Sequence, residues 1–211
     1  MNEEIEAVVF DFDGVIVNSM PAHANTWIKA LGDKNIKCTE EDIFVREGYS
    51  SARIIRELAD REVSDEEIQE IADKRHTYLK QENIDLFDWS PEILRKLSDK
   101  VKIGIVTGSE MREVEHLLPE ELREKVSVFV TEDDYDKGKP HPEPFLQAVE
   151  KLKTPKGKIL VVENAPAGVE SAKKAGLRVV GIPTYIEKEE LKEADLVVSD
   201  HEELSDYLLS L

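Results

Sequence analysis

The chain has 211 residues, 40% hydrophobic and 35% charged, with a formal net charge of −18. This length suits one sizeable core, alone or with a smaller appended unit, and the apolar share excludes a disordered chain. The charge repels nucleic-acid backbones and anionic membranes, no apolar run approaches the ~20 residues of a membrane-spanning helix, and a single cysteine, Cys38, leaves no intramolecular disulfide.

In chain order, the acidic opening Met1-Asn2-Glu3-Glu4 lacks the character of a signal peptide, so a soluble, cytoplasmic protein is expected. Residues 7–10 form the first of several short, β-branched, near-continuous apolar runs; the others cover 101–106, 126–130, 159–162 and 179–182. Runs of this kind suit strands of a parallel sheet buried on both faces. Helical patterns lie between them at 91–97, 111–118, 144–152 and 165–175, the last stopped by Gly176. The alternation predicts an α/β core with right-handed crossovers. It fails between 15 and 88, where only helical patterns appear. One covers 21–31 with Pro21 at its start, and another covers 51–59. A third opens at Ser64-Asp65-Glu66-Glu67, which reads as a capping box, and runs to about residue 80. A mostly helical insert is therefore expected between the first and second strands. No repeat or helical seam announces an interface, and a monomer or weak homodimer is expected.

Ligands of an open α/β sheet bind beyond the carboxyl ends of its strands. The first strand is followed by Asp11-Phe12-Asp13-Gly14, where the turn at Gly14 lets both carboxylates reach one cleft. Acidic turns also occur without chemistry. The second is followed by Thr107-Gly108-Ser109, which suits a phosphate cradle and equally suits ordinary helix capping. After the third, Lys139 precedes a rigid Pro-x-Pro turn; it is either the local positive charge an anionic substrate needs here, or a solvated lysine. After the fourth come Glu163 and Asn164, two oxygen donors of the kind Mg²⁺ takes while keeping several waters, or a helix cap with Asn164 as capper. Each signal is modest. Their occurrence in order, one at each strand end, is specific.

Together, Asp11-Phe12-Asp13-Gly14-Val15-Ile16, Thr107, Lys139-Pro140 and Glu163-Asn164-x-x-x-Gly168 resemble the four motifs of the haloacid dehalogenase-like hydrolases. More narrowly they resemble the β-phosphoglucomutase-like branch, with its sugar-phosphate and phosphoglycolate phosphatases. His23, Trp27 and Gly48-Tyr49-Ser50 look like that branch's cap. The resemblance implies a Rossmann-like parallel sheet core flanked by helices, residues 1–15 and 89–211, with an inserted helical cap domain, residues 16–88. It implies Mg²⁺ held by Asp11, Asp13 through its backbone carbonyl, Glu163 and Asn164. Asp11 is then the nucleophile that forms an aspartyl-phosphate, and Asp13 the acid and later the base. Thr107 hydrogen-bonds the phosphoryl group, with Gly108 and Ser109 beside it, and Lys139 neutralises charge.

Two features depart from the pattern. The family usually has two carboxylates where this chain has Glu163-Asn164, which predicts weaker metal binding. The mutase branch has a cap-loop arginine just after its Gly-x-Ser, where this chain has Ser51. Arg53 nearby, and Lys74 or Arg75 on the following helix, are the remaining candidates for substrate contact, and His23 is a candidate to help Asp13 during cap closure. Losing that arginine favours a phosphatase for a small phosphorylated metabolite over a mutase on hexose phosphates. A dehalogenase has no use for Asp13 as acid. A phosphonate-cleaving relative would want a Schiff-base lysine, for which Lys29 and Lys34 are weak candidates. The reading from another class, a phosphometabolite-binding module without turnover, has only Asn164 in its favour.

Overall fold

The β-branched runs become strands because a side chain that branches at Cβ packs well on both faces of a pleated sheet. The computed structural model describes residues 4–211; residues 1–3, with most of the acidic opening, lie outside the described residues. Among these, β1 (Ala7–Phe10), β2 (Lys102–Val106), β3 (Val128–Val130), β4 (Ile159–Glu163), β5 (Arg178–Gly181) and β6 (Leu196–Val197) form one parallel sheet in the order β3-β2-β1-β4-β5-β6. β1 is central, with Phe10 registered against Ile105 on one side and Val162 on the other. The order reverses between β1 and β4, and a crevice opens beyond the carboxyl ends of strands at such a point.

Alternation along β1 feeds two layers. Val8 and Phe10 enter one with residues of α5 (Ser90–Ser98), α6 (Met111–Leu117), α7 (Glu120–Arg123) and α10 (His201–Leu209). Ala7 and Val9 enter the other with α8 (Glu143–Leu152) and α9 (Pro166–Lys174). The expected insert is helical: α1 (Met20–Gly32), α2 (Glu40–Phe44), α3 (Ser51–Leu58) and α4 (Asp65–Leu79) lie between β1 and β2. They enclose a separate cluster that includes Trp27, Leu31, Ile43, Ile55 and Ile71. At the start of α4 the Ser64 hydroxyl accepts from the Glu67 amide, but Glu67 turns its carboxylate to Arg61 rather than completing the expected capping box.

The two chain crossings between this unit and the sheet run side by side. Val17 and Leu86 form an antiparallel bridge, flanked by Asn18 N–H to Asp85 O at 2.8 Å and Phe87 N–H to Ile16 O at 3.1 Å. The Ser90 hydroxyl adds a bond to Ile16 O at 3.0 Å. Val15, Ile16 and Val17 are packed with the sheet's own layer.

Next to this junction His201 lies against Phe87 and Trp89, with ring centroids 4.6 and 5.4 Å away. Burial lowers its pKa from the ordinary 6.5 against the pull of Asp200, and its Nε2 has no hydrogen-bond partner among the described residues. The unfolded chain therefore takes up this proton more readily than the native state. Stability is complete above about pH 6.5 and declines as pH falls towards the lower folded value. Urea melts from pH 7.5 to 5 are expected to show a shallower acid loss in His201→Phe than in the parent. Parallel profiles would rule out His201 as a source of the slope.

Candidate active site

Asp11 continues β1, its amide donating to Val162 O at 2.9 Å, and the chain then turns through Gly14 at φ +78°. Only glycine fits there: a Cβ would stand 2.2 Å from Asn164 Nδ2, in a backbone region that L side chains avoid. Asp11 and Asp13 are each 4% exposed. Glu163, wholly buried at the end of β4, occupies the space left by Gly168 in the first turn of α9, where a Cβ would lie 1.7 Å from Glu163 Oε1. Lys139 stands between the two strand ends. Its Nζ is 2.5 Å from Asp11 Oδ1 and 2.5 Å from Glu163 Oε1, while Glu163 Oε2 accepts from the Ala165 amide at 2.9 Å. It is therefore a buried ion-pair lysine and not a solvated one.

The two aspartates have different surroundings. Asp13 accepts from three hydroxyls: Ser19 at 2.7 Å, Ser109 at 2.9 Å and Thr107 at 3.1 Å. His23 Nε2 is 3.6 Å away. Burial alone would raise the Asp13 pKa, but His23 and the three hydroxyls more than offset it and hold the carboxyl below its usual range. Burial pushes Asp11 well above that range, with Lys139 opposing and the charges of Glu163 and Asp13 adding to the rise. Lys139 is the reverse: burial disfavours its charge, and the Asp11 and Glu163 carboxylates raise its pKa nonetheless. Two carboxylates around one ammonium leave room for another cation.

Asn164 is a candidate ligand for such a cation. Its Oδ1 is buried and has no hydrogen-bond partner among the described residues. It does not cap α9, whose N-cap is Ala165 with no side-chain bond. An orphaned acceptor beside the Asp11–Glu163 pair suits a hard cation. No cage of three or more His, Cys, Asp or Glu side chains assembles among the described residues. Mg²⁺ needs none, because it keeps several waters and takes one or two carboxylates.

A cavity of about 540 Å³ opens from Asp13 and Lys139 to the helical unit. The Gly48 loop closes over it: at φ +81°, Gly48 brings backbone within reach of Lys139, and a Cβ would be 3.4 Å from Lys139 Cδ. Gly108, Ser109 and Ser51, the first residue of α3, line the same cavity. His23 bridges the units, with Nδ1 3.8 Å from Glu47. Arg53 reaches the rim, but its guanidinium lies 3.4 Å over the Tyr49 ring and pairs with Glu57 at 2.8 Å. Arg75 points inward, 5.3 Å over Trp27. Burial lowers its pKa, and Glu47, Glu113, Asp13 and Glu132 pull the other way. Lys74 corrects the expectation that it faces the cleft. Its ammonium pairs with Asp33 at 2.6 Å and lines neither cavity beside Asp13. Successive helical residues diverge by about 100°, so when Arg75 faces the cleft Lys74 cannot. Lys29 and Lys34 likewise pair with Glu82 and Glu70, and neither lysine lines either cavity, although Glu82 borders one of them.

Several contributors escaped sequence reasoning. Ser19 precedes a proline-led helix and looks like a cap, yet its backbone is helical (φ −90°, ψ −17°) and its hydroxyl serves Asp13 instead. The Tyr135 hydroxyl donates to Thr107 O at 3.0 Å, and burial pushes its pKa up to about 12. His76 joins α4 to α6 through Glu113 at 3.7 Å and Arg112 at 3.2 Å. It also borders a second cavity of about 600 Å³ that shares Asp13, His23 and Ser109 with the first. No sequence motif marks Tyr135 or His76.

Two carboxylates, a buried lysine and a cluster of hydroxyls gathered at the switch point of a parallel sheet suit chemistry on an anionic ester. Comparison narrows this to a family. The model of the haloacid dehalogenase-like hydrolases matches residues 8–182, and the chain belongs to that family. It is 30% identical to glycerol-1-phosphate phosphohydrolase 2 of Saccharomyces cerevisiae, over 95% of this chain and 84% of the relative. It is 28% identical to a phosphorylated carbohydrates phosphatase of Thermotoga maritima, over 84% and 85%. The crystal structure of a hydrolase from Pseudomonas syringae superimposes with a TM-score of 0.87 at 25% identity, covering 98% of this chain and 99% of that one.

Proposed function

We propose that the protein is a Mg²⁺-dependent phosphatase for a small phosphorylated carbohydrate or related metabolite, acting through an aspartyl-phosphate on Asp11. The observation that carries this reading is the division of labour at the end of β1. Asp11 faces Lys139 and the cation seat, and Asp13 faces hydroxyls and an imidazole. The phosphatase relatives support the substrate class.

Asp11 Oδ attacks phosphorus and the bond from phosphorus to the leaving oxygen breaks, that oxygen taking the Asp13 proton. A water then gives a proton to Asp13 and attacks phosphorus, the Asp11–phosphorus bond breaks, and inorganic phosphate leaves. Before substrate arrives, Asp13 is held ionised, against its burial, by His23 and its hydroxyl donors. Thr107 and Ser109 are placed to turn those hydroxyls to phosphoryl oxygens instead. Removing two donors and bringing a dianion close both raise the Asp13 pKa, which equips it to act as acid. Lys139 neutralises charge on Asp11 during attack. The Asp11 and Glu163 carboxylates, the Asn164 amide oxygen and the Asp13 backbone carbonyl would hold Mg²⁺, which when bound would supply charge neutralisation at the phosphoryl oxygens. The helical unit serves as a lid that excludes water.

The test is phosphate release from a panel of phosphorylated metabolites with and without Mg²⁺, with Asp11→Asn as the blank. Release that needs Mg²⁺ and vanishes in the variant supports the reading. Return of phosphate to the sugar, with none in solution, would instead show a mutase. The single amide in the cation seat gives a separate expectation: Asn164→Asp lowers the Mg²⁺ concentration for half-maximal activity several-fold, by adding a charge the cation can use. Unchanged Mg²⁺ dependence would sink that idea.

A further inference from the structure

Beyond Asp13 the cavity is walled by carboxylates. Glu47 comes from the loop before α3, Glu110 and Glu113 from the start of α6, and Glu132 from the turn after β3. The side chains of Glu47 and Glu113 are only 20% and 26% exposed. Few cations answer them. Lys139 is engaged by Asp11 and Glu163, Arg53 by Glu57 and the Tyr49 ring, Arg112 by Glu110 at 2.6 Å, and Lys137 lies at the exposed rim. That leaves Arg75 for Glu47, Glu113 and Glu132, with the His23 and His76 rings 3.8 Å from Glu47 and 3.7 Å from Glu113. Its guanidinium is held in the field of Glu47, Glu113 and Glu132 rather than paired to one of them, and its Nε is shielded with no hydrogen-bond partner among the described residues.

We propose that this chamber selects phosphomonoesters whose leaving alcohol is uncharged and rich in hydroxyl groups, and that Glu47 and Glu113 exclude leaving groups that carry a second anion. The inference rests on the phosphatase reading and narrows its substrate class. Hydroxyl groups donate to carboxylates and accept from a guanidinium, so a polyol satisfies both kinds of wall. A carboxylate or second phosphate would be brought among like charges in a shielded cleft, where repulsion is strong and one guanidinium cannot cancel it.

The experiment compares kcat/KM, in Mg²⁺, for racemic glycerol 3-phosphate and racemic 3-phosphoglycerate, which differ only in a CH₂OH against a carboxylate at the far end. p-Nitrophenyl phosphate serves as the general probe. The neutral substrate is expected to lead by about 100-fold. Combining Glu47→Gln with Glu113→Gln should reduce that lead by about 10-fold; using the ratio cancels any effect that Glu47 exerts on both substrates through His23. A second readout needs no variant, since the lead must shrink as salt rises and screens the repulsion. Equal kcat/KM for the pair, or a lead unmoved by both the variant and salt, overturns the inference and leaves a phosphatase. Failure to turn over p-nitrophenyl phosphate and both esters overturns the phosphatase reading and the inference with it.

Discussion

Asp13→Ala is expected to lower steady-state kcat for alkyl phosphates by roughly 10²–10⁴-fold, the usual range for loss of a positioned acid–base group. The size of the loss should depend on the leaving group. A sugar alkoxide is a poor leaving group and needs its proton in the transition state, whereas p-nitrophenolate leaves without one. In the variant, transfer of phosphorus from p-nitrophenyl phosphate to Asp11 should therefore remain fast. The second step should stay slow, because no base takes the proton of the attacking water. Rapid mixing should then show a burst of p-nitrophenol approaching one equivalent per active site, followed by a slow steady rate. The variant also leaves Ser19, Thr107 and Ser109 without their shared acceptor, so binding of inorganic phosphate should be checked to show that the cradle persists. A loss of the same size for alkyl and aryl esters, with no burst, would remove Asp13 from the acid role.

Gly168→Ala should be the most damaging change outside the reacting groups. The added methyl would lie 1.7 Å from Glu163 Oε1 and 2.0 Å from its Cδ, so the carboxylate has to leave its seat. Glu163 is fully buried and bound to Lys139 and to the Ala165 amide. Breaking a buried pair while its partner stays buried costs about 3–5 kcal/mol. At roughly 2–4 °C per kcal/mol for a chain of this size, the melting temperature should fall by about 6–20 °C, and activity should be lost with the displaced Glu163 carboxylate. A double-mutant cycle isolates the cause. In a Glu163→Ala background the clash has no counterpart, so Gly168→Ala should cost little there, and the two changes should be strongly non-additive. Additive losses would mean that Gly168 matters through helix geometry and not through Glu163.

Strand ends were the legible part of this molecule. The central runs at 7–10 and 159–162 read clearly because buried parallel strands are continuous in apolar, β-branched residues. The residues following them could then be assigned to one crevice. What escaped has identifiable causes. β6 is two residues long, with Leu196 39% exposed, and carries no periodicity. α2 is five residues long, so its signal lay only in the Thr39–Asp42 capping box. α10, opened by the Asp200 cap, was not anticipated although its cap and the buried pair Leu204 and Leu208 were present in the sequence. In the site, Ser19 and Tyr135 act through tertiary placement that no local pattern encodes. Arg75 and Lys74 show the limit most clearly: adjacent basic residues on one helix were equivalent in sequence, and only the helix rotation separates the one facing the cavity from the one paired to Asp33.

The adjacent crossings at 16–18 and 85–87 have a consequence for the history of such a chain. Entry and exit are tied together by the Asn18–Asp85 and Phe87–Ile16 bonds, so the sheet meets the four helices as it would meet a single surface turn. Everything from residue 19 to 84 can be lengthened, exchanged or replaced without altering the register of β1 against β2 or β4. Asp11, Asp13, Lys139 and Glu163 can thus be inherited intact, provided Ser19 and His23 are kept beside Asp13, while the rest of the part that meets the leaving alcohol is traded, and a new preference can be grafted at two neighbouring splice points without redesigning the core.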